Sequence, residues 1–421
     1  MSSGPVLPPP PPAGSDASAA VPPEPRPSTA GASTWRLRPH ALWLVASLEL
    51  RQRVRSKRWY IALGIWFVFL MGMSLLIFSS FTVFADGDAS FFGDGGLLRT
   101  AGQLCASLST LLLVFMLMLV LPALSAGSIN GDRTAGTLAT LQATLLSPAE
   151  IVVGKILAGW LVGLAFLGTA MPSVAPSMLL GGSSILYLLR IVLMIGVLSL
   201  LVTAFGVGMS SLLARQLGSV VLTYLGVIGT MVILPVIWGA SLPMLTVPST
   251  QTQYFQTPYE GDWIELGPGA GGGGPALTLE DGEQAPREGE WVCVSWGEDM
   301  STTVHSEFTA PLLWMNPFVL VAETAPALPQ DLLGEGDAPL DLLAYLKSGV
   351  RWASNPQADV FRVQCEPGIP GYPEGVSGAM PWPVWPMGLA AWTLVGGGAS
   401  VLAITRLRVP MRRISAGTRI A

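Results

Sequence analysis

The sequence predicts an all-α polytopic membrane protein with six transmembrane helices and a mixed α/β extracytoplasmic domain between helices 5 and 6. Of its 421 residues, 51% are hydrophobic and 12% are charged, with a mean hydropathy of +0.55. Soluble globular proteins carry about 25% charged residues. The gaps between charges exceed the roughly 20 apolar residues that cross a bilayer. These values exclude an ordinary soluble enzyme and a disordered chain, and the net charge of −5 argues against nucleic acid as a partner.

The gaps between charged residues place the six helices. They are predicted near residues 59–84, 105–128, 156–180, 185–212, 218–246 and 383–405. Each is long enough for a hydrocarbon core of about 30 Å, because an α-helix rises about 1.5 Å per residue. Arg190 is the one ionisable residue well inside a predicted span. It either contacts substrate or snorkels to the membrane surface, and its position about two turns from the outer end favours snorkelling.

Basic residues predict the orientation in the membrane. Five Lys and Arg residues lie within 51–58, before the first span, and five arginines lie within 406–419, after the last. Because cytoplasmic flanks carry the excess of positive charge, both termini are predicted to be cytoplasmic and residues 247–382 extracytoplasmic. Arginine is far commoner than lysine, and glycine and proline are abundant, as in GC-rich bacteria. The expected location is the bacterial cytoplasmic membrane.

The segments that flank the spans are predicted to lie outside the hydrocarbon core. Residues 1–35 are rich in Pro, Ala and Ser and cannot bury a core, which predicts a disordered cytoplasmic tail. Residues 406–421 form a short basic tail. Residues 36–58 are predicted to form an amphipathic helix in the inner interface, with Glu49 and Arg53 as an i,i+4 pair. Its apolar face is assigned to Leu44, Val45 and Leu48. The alternative is a cytosolic extension of the first span.

Residues 59–246 hold the first five spans, and 247–382 have the size of one small domain. The runs 290–296 and 359–365 are typical of strands. Helices are predicted after the Asn316–Pro317 cap and near 338–350. The sequence therefore predicts a mixed α/β domain.

This domain contains Cys293 and Cys365, each in a predicted strand, whereas Cys105 lies at the start of the second span. Disulfides persist outside the cytoplasm. If the two strands pair, their Cβ atoms can approach the roughly 3.8 Å that a disulfide needs. We predict a disulfide between these two cysteines. The alternative is two free cysteines that act as small buried apolar residues.

The most informative stretch is the cytoplasmic loop 130–155. A short helix is predicted there, because its leucines recur at i, i+3 and i+7. These leucines are Leu138, Leu141 and Leu145. Gly136 and Thr137 supply a break and a cap before them.

A second helix start follows directly. Ser147 is the predicted N-cap, Pro148 takes the first helical position, and Glu150 completes a capping box. The helix then continues through Lys155 into the third span. The segment is thus predicted to consist of a short helix, a rigid corner and the start of a transmembrane helix. Such a unit can transmit the movement of a cytoplasmic partner to the transmembrane helices. On physical grounds alone, an ordinary connector between spans is an equally good interpretation.

This loop resembles that of type-2 ABC exporter permeases. The matching positions are Asp132, Arg133, Gly136, Thr137, Leu138, Thr144, Ser147, Pro148, Gly154 and Lys155. The family usually has a glutamate at the position of Asp132 and often a second acid at that of Thr134. The six spans, the basic interfacial helix and the insertion between spans five and six also fit.

The resemblance implies a permease subunit that works as a dimer with an identical or homologous permease, each bound to an ABC ATP-binding subunit and embedded in the lipid bilayer. The helix near 138–146 would be the coupling helix, and its flanking residues Asp132, Arg133, Pro148, Glu150 and Lys155 would support the contact. The chain contains no G-x-x-x-x-G-K-[ST] motif. It is therefore not expected to be an enzyme or to bind a cofactor directly, and ATP and Mg²⁺ would bind the partner subunit.

Two other classes are considered. An ion-coupled secondary transporter usually places carboxylates at mid-membrane, and the predicted spans contain none. A membrane-anchored receptor or enzyme would act through the outer domain, which holds 19 of the 27 acids between Glu260 and Glu374 and several tryptophans. No catalytic acid pair can be assigned there.

Overall fold

The computed structural model describes residues 34–85, 96–136, 146–213, 215–260, 265–266, 276–277, 286–327, 340–355, 361–365, 369–372 and 382–407. Within these ranges six helices are long and apolar enough to cross a membrane, which confirms the predicted number of spans. The predicted tails fall almost entirely outside the described residues.

The first five spans and their connecting helices follow each other in chain order. Their bounds are α1 (Pro39–Val54), α2 (Lys57–Ala85), α3 (Gly96–Ser125), α4 (Ser128–Thr134), α5 (Pro148–Leu180), α6 (Ile185–Leu212), α7 (Gln216–Ile228) and α8 (Leu234–Ser241). Helix α2 is the first span, α3 the second, α5 the third and α6 the fourth. The fifth span combines α7, a π-helical turn (Gly229–Ile233), α8 and a 3₁₀ turn (Leu242–Leu245).

The second span begins earlier than the sequence predicts, at Gly96 rather than near 105. The third span, predicted near 156–180, continues the helix that starts at Pro148, which is the predicted first residue of that helix. Arg99 and Lys155, each of which directly precedes a charge-free gap, lie inside these helices. A charge-free gap locates the part of a helix that crosses hydrocarbon, whereas the helix itself continues into the polar interface.

The second, third and fourth spans form the centre of the bundle. The large side chains buried between them include Leu113, Leu117, Leu121, Phe166, Ile191, Ile195 and Leu198. The first and fifth spans keep most of their apolar side chains exposed. Small residues permit the closest helix contacts, and a Cβ atom at Gly208 of the fourth span would overlap Ala399 of the sixth.

The region between the fifth and sixth spans, residues 247–382, is called the inserted region. The elements described in and around it are β1 (Thr246–Pro258), β2 (Glu265–Leu266), β3 (Ala276–Leu277), β4 (Trp291–Val304), α9 (Pro311–Trp314), α10 (Pro317–Ala322), α11 (Leu342–Ser354), β5 (Phe361–Gln364) and the sixth span α12 (Trp385–Arg406). The strands form one sheet in the order β2-β3-β4-β1-β5. Strands β1 and β4 are long antiparallel partners, and β5 is parallel to β1.

Cys293 and Cys365 form the disulfide that the sequence predicts, with their Cα atoms 5.8 Å apart. The geometry behind that prediction is wrong in one respect, because the strands that carry them do not pair. Strand β1 lies between β4 and β5. Cys365 directly follows β5, and Cys293 N of β4 donates a hydrogen bond of 2.8 Å to Pro370 O, so residues soon after β5 lie against β4.

The helices of the inserted region pack on the membrane bundle. Asn316 caps α10, its Oδ1 accepting from Phe318 N at 2.9 Å, as predicted. Asp341 caps α11 through Leu343 N and Ala344 N. Leu320, Val321, Ala322, Leu343 and Ala344 belong to the same apolar core as the second to fourth spans. The sheet has an apolar cluster of its own, formed by Leu277, Val292 and Val294. A further cluster joins Leu313, Val319 and Val350 of the inserted helices to Val384 before the sixth span.

The inserted region also supplies a hydrogen-bond donor to the fifth span, close to Pro235. Pro235 has no backbone N–H, so the regular helical bond to the carbonyl four residues earlier cannot form. That carbonyl belongs to Met231, in the π-helical turn. Asn316 Nδ2 donates to Met231 O at 3.3 Å. A side chain of the inserted region therefore donates to the carbonyl that cannot bond to position 235.

Candidate functional site

The start of the third span has the capping box that the sequence predicts. Ser147 Oγ accepts from Glu150 N at 3.1 Å, and Glu150 Oε2 accepts from Ser147 N at 2.8 Å. Pro148 occupies the first turn. Two backbone donors that a helix leaves unpaired at its N-terminus are thereby satisfied. The polypeptide leaves the preceding loop in a fixed direction.

The same carboxylate holds the segment before α1. Glu150 Oε1 accepts from Arg38 N and from Arg38 Nε, both at 2.9 Å, and Glu150 Oε2 accepts from an Arg38 terminal nitrogen at 3.1 Å. Ser147 Oγ donates to Arg36 O, and Ala149 N donates to Thr34 O. The Glu150 side chain is fully buried. Sequence reasoning did not single out Arg38, because the two residues are far apart in the chain and no local pattern joins them.

Lys155 connects three helices one and a half turns further along α5. Its ammonium nitrogen lies 3.0 Å from Glu49 Oε2 on α1 and 2.7 Å from Asp132 Oδ2 on α4. Only 2% of the lysine side chain is exposed. Arg53 adds a second cation, 3.1 Å from Glu49 Oε1, and also donates to Leu124 O. These four residues, Glu49, Arg53, Asp132 and Lys155, are called the charge cluster.

The charge cluster sets the ionisation of its acid on α1. Burial acts to raise the pKa of Glu49, but the positive charges of Lys155 and Arg53, with their hydrogen bonds, lower this pKa below its usual value. The Glu49 carboxylate is thus held in its charged form. A charged acid between two cations is a stable link only while all three remain ionised.

Helix α4 is fixed from a second side by uncharged groups. Ser210 Oγ of the fourth span accepts from Ile129 N at 3.0 Å and from Asn130 N at 3.1 Å. The buried Asn130 donates through Nδ2 to Ser219 Oγ at 3.2 Å, and Ser219 Oγ donates to Ala126 O at 2.7 Å. Helix α4 therefore bridges the fourth and fifth spans. Sequence reasoning missed this polar contact.

Helix α1 lies directly against the start of the third span because Gly154 has no side chain. A Cβ atom there would lie 2.6 Å from Val45 Cβ and 2.7 Å from Val45 Cγ1. Val45 is buried, whereas Leu44 and Leu48 are about half exposed. The three residues that the sequence groups on one apolar face thus differ in burial, since Val45 packs against the third span and the two leucines do not. Apolar residues cover both the bundle side and the exposed side of the first half of α1, and its charges lie mostly in the second half.

The structure brings together the residues on either side of the predicted coupling helix. Asp132 and Arg133 end α4, and Gly136 follows in the left-handed region with φ of 71°. Pro148, Glu150 and Lys155 begin α5. The predicted contact residues between them, Thr137, Leu138, Leu141 and Leu145, lie outside the described residues. The residues on both sides of segment 137–145 are thus anchored to the bundle.

The six apolar helices define a multi-pass membrane protein. Residues 43–324, more than half of the chain, match the model of the family described as ABC-2 family transporter protein. The chain belongs to this family. The family's domain is a membrane transport component and is not itself catalytic. Membership implies association with an ABC ATP-binding subunit. The match ends in the inserted region, before the sixth span, and no curated protein matches the chain.

Proposed function

We propose that this chain is the permease subunit of an ATP-driven exporter, in which the loop 137–145 receives the motion of the ATP-binding subunit. The observation that supports this most directly is the ion pair between Asp132 and Lys155, which joins the two sides of the loop. A push on the loop would reach α4 and α5 together. Two paired carboxylates and a nearly buried lysine resist separation, because a charge left without its partner in a buried site is costly.

The charge cluster would spread this motion through the bundle. Lys155 contacts α1 through Glu49, and α4 is bonded to the fourth and fifth spans through Ser210 and Ser219. The third span itself packs in the centre against the second and fourth. If closure of the ATP-binding subunits is to move the spans, the central helices must be rigidly connected at the end that faces these subunits.

The proposed contact is tested by placing a charge among Leu138, Leu141 and Leu145, which would share one face of the coupling helix. Leu141→Asp should abolish co-purification of the ATP-binding subunit and stimulation of its ATPase activity in the reconstituted complex, since a carboxylate in an apolar groove costs several kcal/mol. Ala143→Asp is the matched control, because a helix places residue 143 on the face opposite these leucines. Equal ATPase stimulation in both variants and the wild type would refute the contact.

The proposed dimer and direction of transport need separate measurements. Cross-linking of differently tagged copies in the membrane distinguishes an identical from a homologous second permease. Inside-out vesicles should accumulate substrate on ATP addition if transport is export. Accumulation that follows an imposed ion gradient without ATP would instead support a secondary transporter.

The proposed orientation places both termini in the cytoplasm and the inserted region outside. Single cysteines at Ser2 and Ser377, introduced one at a time, test it with a membrane-impermeant thiol reagent on intact cells. We expect labelling at Ser377 and protection at Ser2. Labelling at Ser2 contradicts this orientation.

A further inference from the structure

Residues 34–38, which precede α1 and are called the leading segment, lie against the start of the third span. Two carbonyls and one N–H of its backbone, at Thr34, Arg36 and Arg38, bond to the residues 147–150 that begin α5. The Arg38 side chain adds two more bonds to the same residues. The leading segment is therefore held in place by hydrogen bonds at every second position.

Two apolar side chains of the leading segment stay exposed between the bonded positions. Trp35 is 47% exposed and Leu37 is 53% exposed. The bonds on both sides of each residue fix the backbone that carries these side chains. A surface ordered in this way loses little conformational entropy when a partner covers it, and tryptophan is enriched among the residues that contribute most to protein interfaces. The leading segment thus presents a pre-ordered apolar pair.

The leading segment lies beyond the apolar part of the third span. Its bonding partner Ala149 precedes Ile156, where the charge-free part of α5 begins, by seven residues, or about 10 Å along the helix. The buried charges of Glu150 and Lys155 lie between these two points. Tryptophans that anchor a protein in a bilayer lie at the edge of the hydrocarbon. Trp35 is therefore on the polar side of that level, where a soluble subunit can reach it.

We propose that Trp35 and Leu37 form a second contact with the ABC ATP-binding subunit, beside the contact assigned to the loop 137–145. This inference rests on the proposed function, and family membership implies association with such a subunit. The two surfaces are continuous, because the leading segment is bonded to residues 147–150, which come directly after Leu146 at the end of the loop. The family match begins at residue 43 and does not cover the leading segment. Movement of the subunit at either contact would reach the start of α5.

The affinity of the purified full chain for the ATP-binding subunit that co-purifies with it measures the second contact. Trp35→Ala/Leu37→Ala should weaken binding about tenfold, since a large apolar anchor is lost. Trp43→Ala/Leu44→Ala is the matched control, because it removes the same two residue types, 61% and 46% exposed, from α1. We expect this control to bind as the wild type does. Size-exclusion profiles report that the variants, all at exposed positions, are folded.

A fluorescent label at the site distinguishes the subunit from the membrane as the occupant. Leu37→Cys is labelled with bimane in the full chain and placed in lipid nanodiscs of phosphatidylglycerol and phosphatidylcholine. The one free cysteine that the described residues contain, Cys105, is buried and should not react. Aqueous iodide should quench the label when the ATP-binding subunit is absent, and addition of the subunit should protect it.

Several results would overturn the proposal. Protection of the label before the subunit is added would identify lipid as the occupant, and quenching that the subunit does not change would show that nothing covers the site. Equal weakening by the control pair on α1 would show that the effect is not specific to the leading segment. Wild-type affinity in Trp35→Ala/Leu37→Ala, together with lost binding in Leu141→Asp, would overturn this inference and leave the proposed function intact. If no ATP-binding subunit co-purifies with the wild type, both fail.

Discussion

Asp132 Oδ2 lies 2.7 Å from Lys155 Nζ, so the last turn of α4 and the second turn of α5 are joined by an ion pair across the loop between them. The lysine nitrogen also lies 3.0 Å from Glu49 Oε2, which brings α1 into the same contact. The connection between the second and third spans is therefore one anchored unit. One nearly buried ammonium group makes both of these contacts.

Removing this ammonium should destabilise the protein strongly. Lys155→Met would leave the carboxylates of Glu49 and Asp132 without their shared cation, and breaking a buried pair in this way costs about 3–5 kcal/mol. Chemical unfolding of the purified protein measures the change. Lys57→Met removes an exposed lysine at the start of the first span and should have little effect. A small change for Lys155→Met would show that the charge cluster does not stabilise the fold.

Acidification should weaken the attachment of α1. The folded-state pKa of Glu49 is below its usual value because of Lys155 and Arg53, although burial opposes them. The stabilisation from Glu49 is thus fully present above the unfolded-state pKa and is lost as the pH falls through the folded-state pKa. The melting temperature should fall more steeply below pH 5 in the wild type than in Glu49→Gln. Parallel curves for the two proteins would contradict the assignment to Glu49.

Adding one methyl group at Gly154 should push α1 away from the third span. The new Cβ of Gly154→Ala would overlap Val45, with 2.6 Å between the two Cβ atoms, and overpacking of this kind costs about 1–3 kcal/mol. Val45→Ala in the same protein should recover part of this loss. Gly168→Ala, in the same helix and with no atom within 4 Å of the added group, is the control. Additive free energies of unfolding for the Gly154 and Val45 changes would contradict a direct contact.

The bond between Asn316 and the fifth span should depend on Pro235. Asn316→Asp keeps an oxygen to cap α10 but removes the amide donor to Met231 O. An unpaired buried carbonyl costs about 1–3 kcal/mol. Pro235→Ala restores a backbone N–H, so Asn316→Asp should cost less in that background. The free energies of unfolding of the four proteins in this double-mutant cycle measure the coupling, and a value near zero would rule it out.

The disulfide should stabilise the inserted region without affecting the site at the other end of the bundle. The bond closes a loop of 72 residues in sequence separation, and Cys293→Ser should cost about 2–4 kcal/mol. Mass spectrometry without reduction should find the Cys293 and Cys365 peptides joined in the wild type and in Cys105→Ala. Limited proteolysis should then cleave the inserted region of Cys293→Ser faster while the ATP-binding subunit still co-purifies. Both cysteines found alkylated without reduction would contradict the bond.

Local signals in the sequence were sufficient for several parts of the fold. The Ser147–Glu150 capping box and the Asn316 cap depend on side chains that bond to backbone groups within three residues. The number of spans follows from the length of charge-free segments. The pairing of Glu49 with Arg53 follows from helical spacing, and the structure shows it at 3.1 Å. The helix start at Gly96 was placed too late, because the charged Arg99 near that end lies within the helix.

Long-range contacts between helices could not be derived in this way. Lys155 meets Glu49 across 106 residues of sequence, and Arg38 meets Glu150 across 112. The side of α1 that faces the bundle was not predicted, since apolar residues cover both its packed side and its exposed side. Strand β1 was not predicted. The sequence therefore did not show that β1 lies between the two strands whose cysteines form the disulfide.

The sequence by itself determined that this is a six-span membrane protein with a capped helix that leads into the third span, because span length, capping and turn chemistry are local properties. Only the tertiary structure decided which charges meet in the charge cluster, that Asn316 completes the fifth span, and that the helices of the inserted region share the core of the bundle. The physical reason is that lipid and protein interior are both apolar. Hydrophobic periodicity therefore does not distinguish the packed side of a transmembrane helix from its lipid side, and close packing of small residues and buried polar bonds selects the partners.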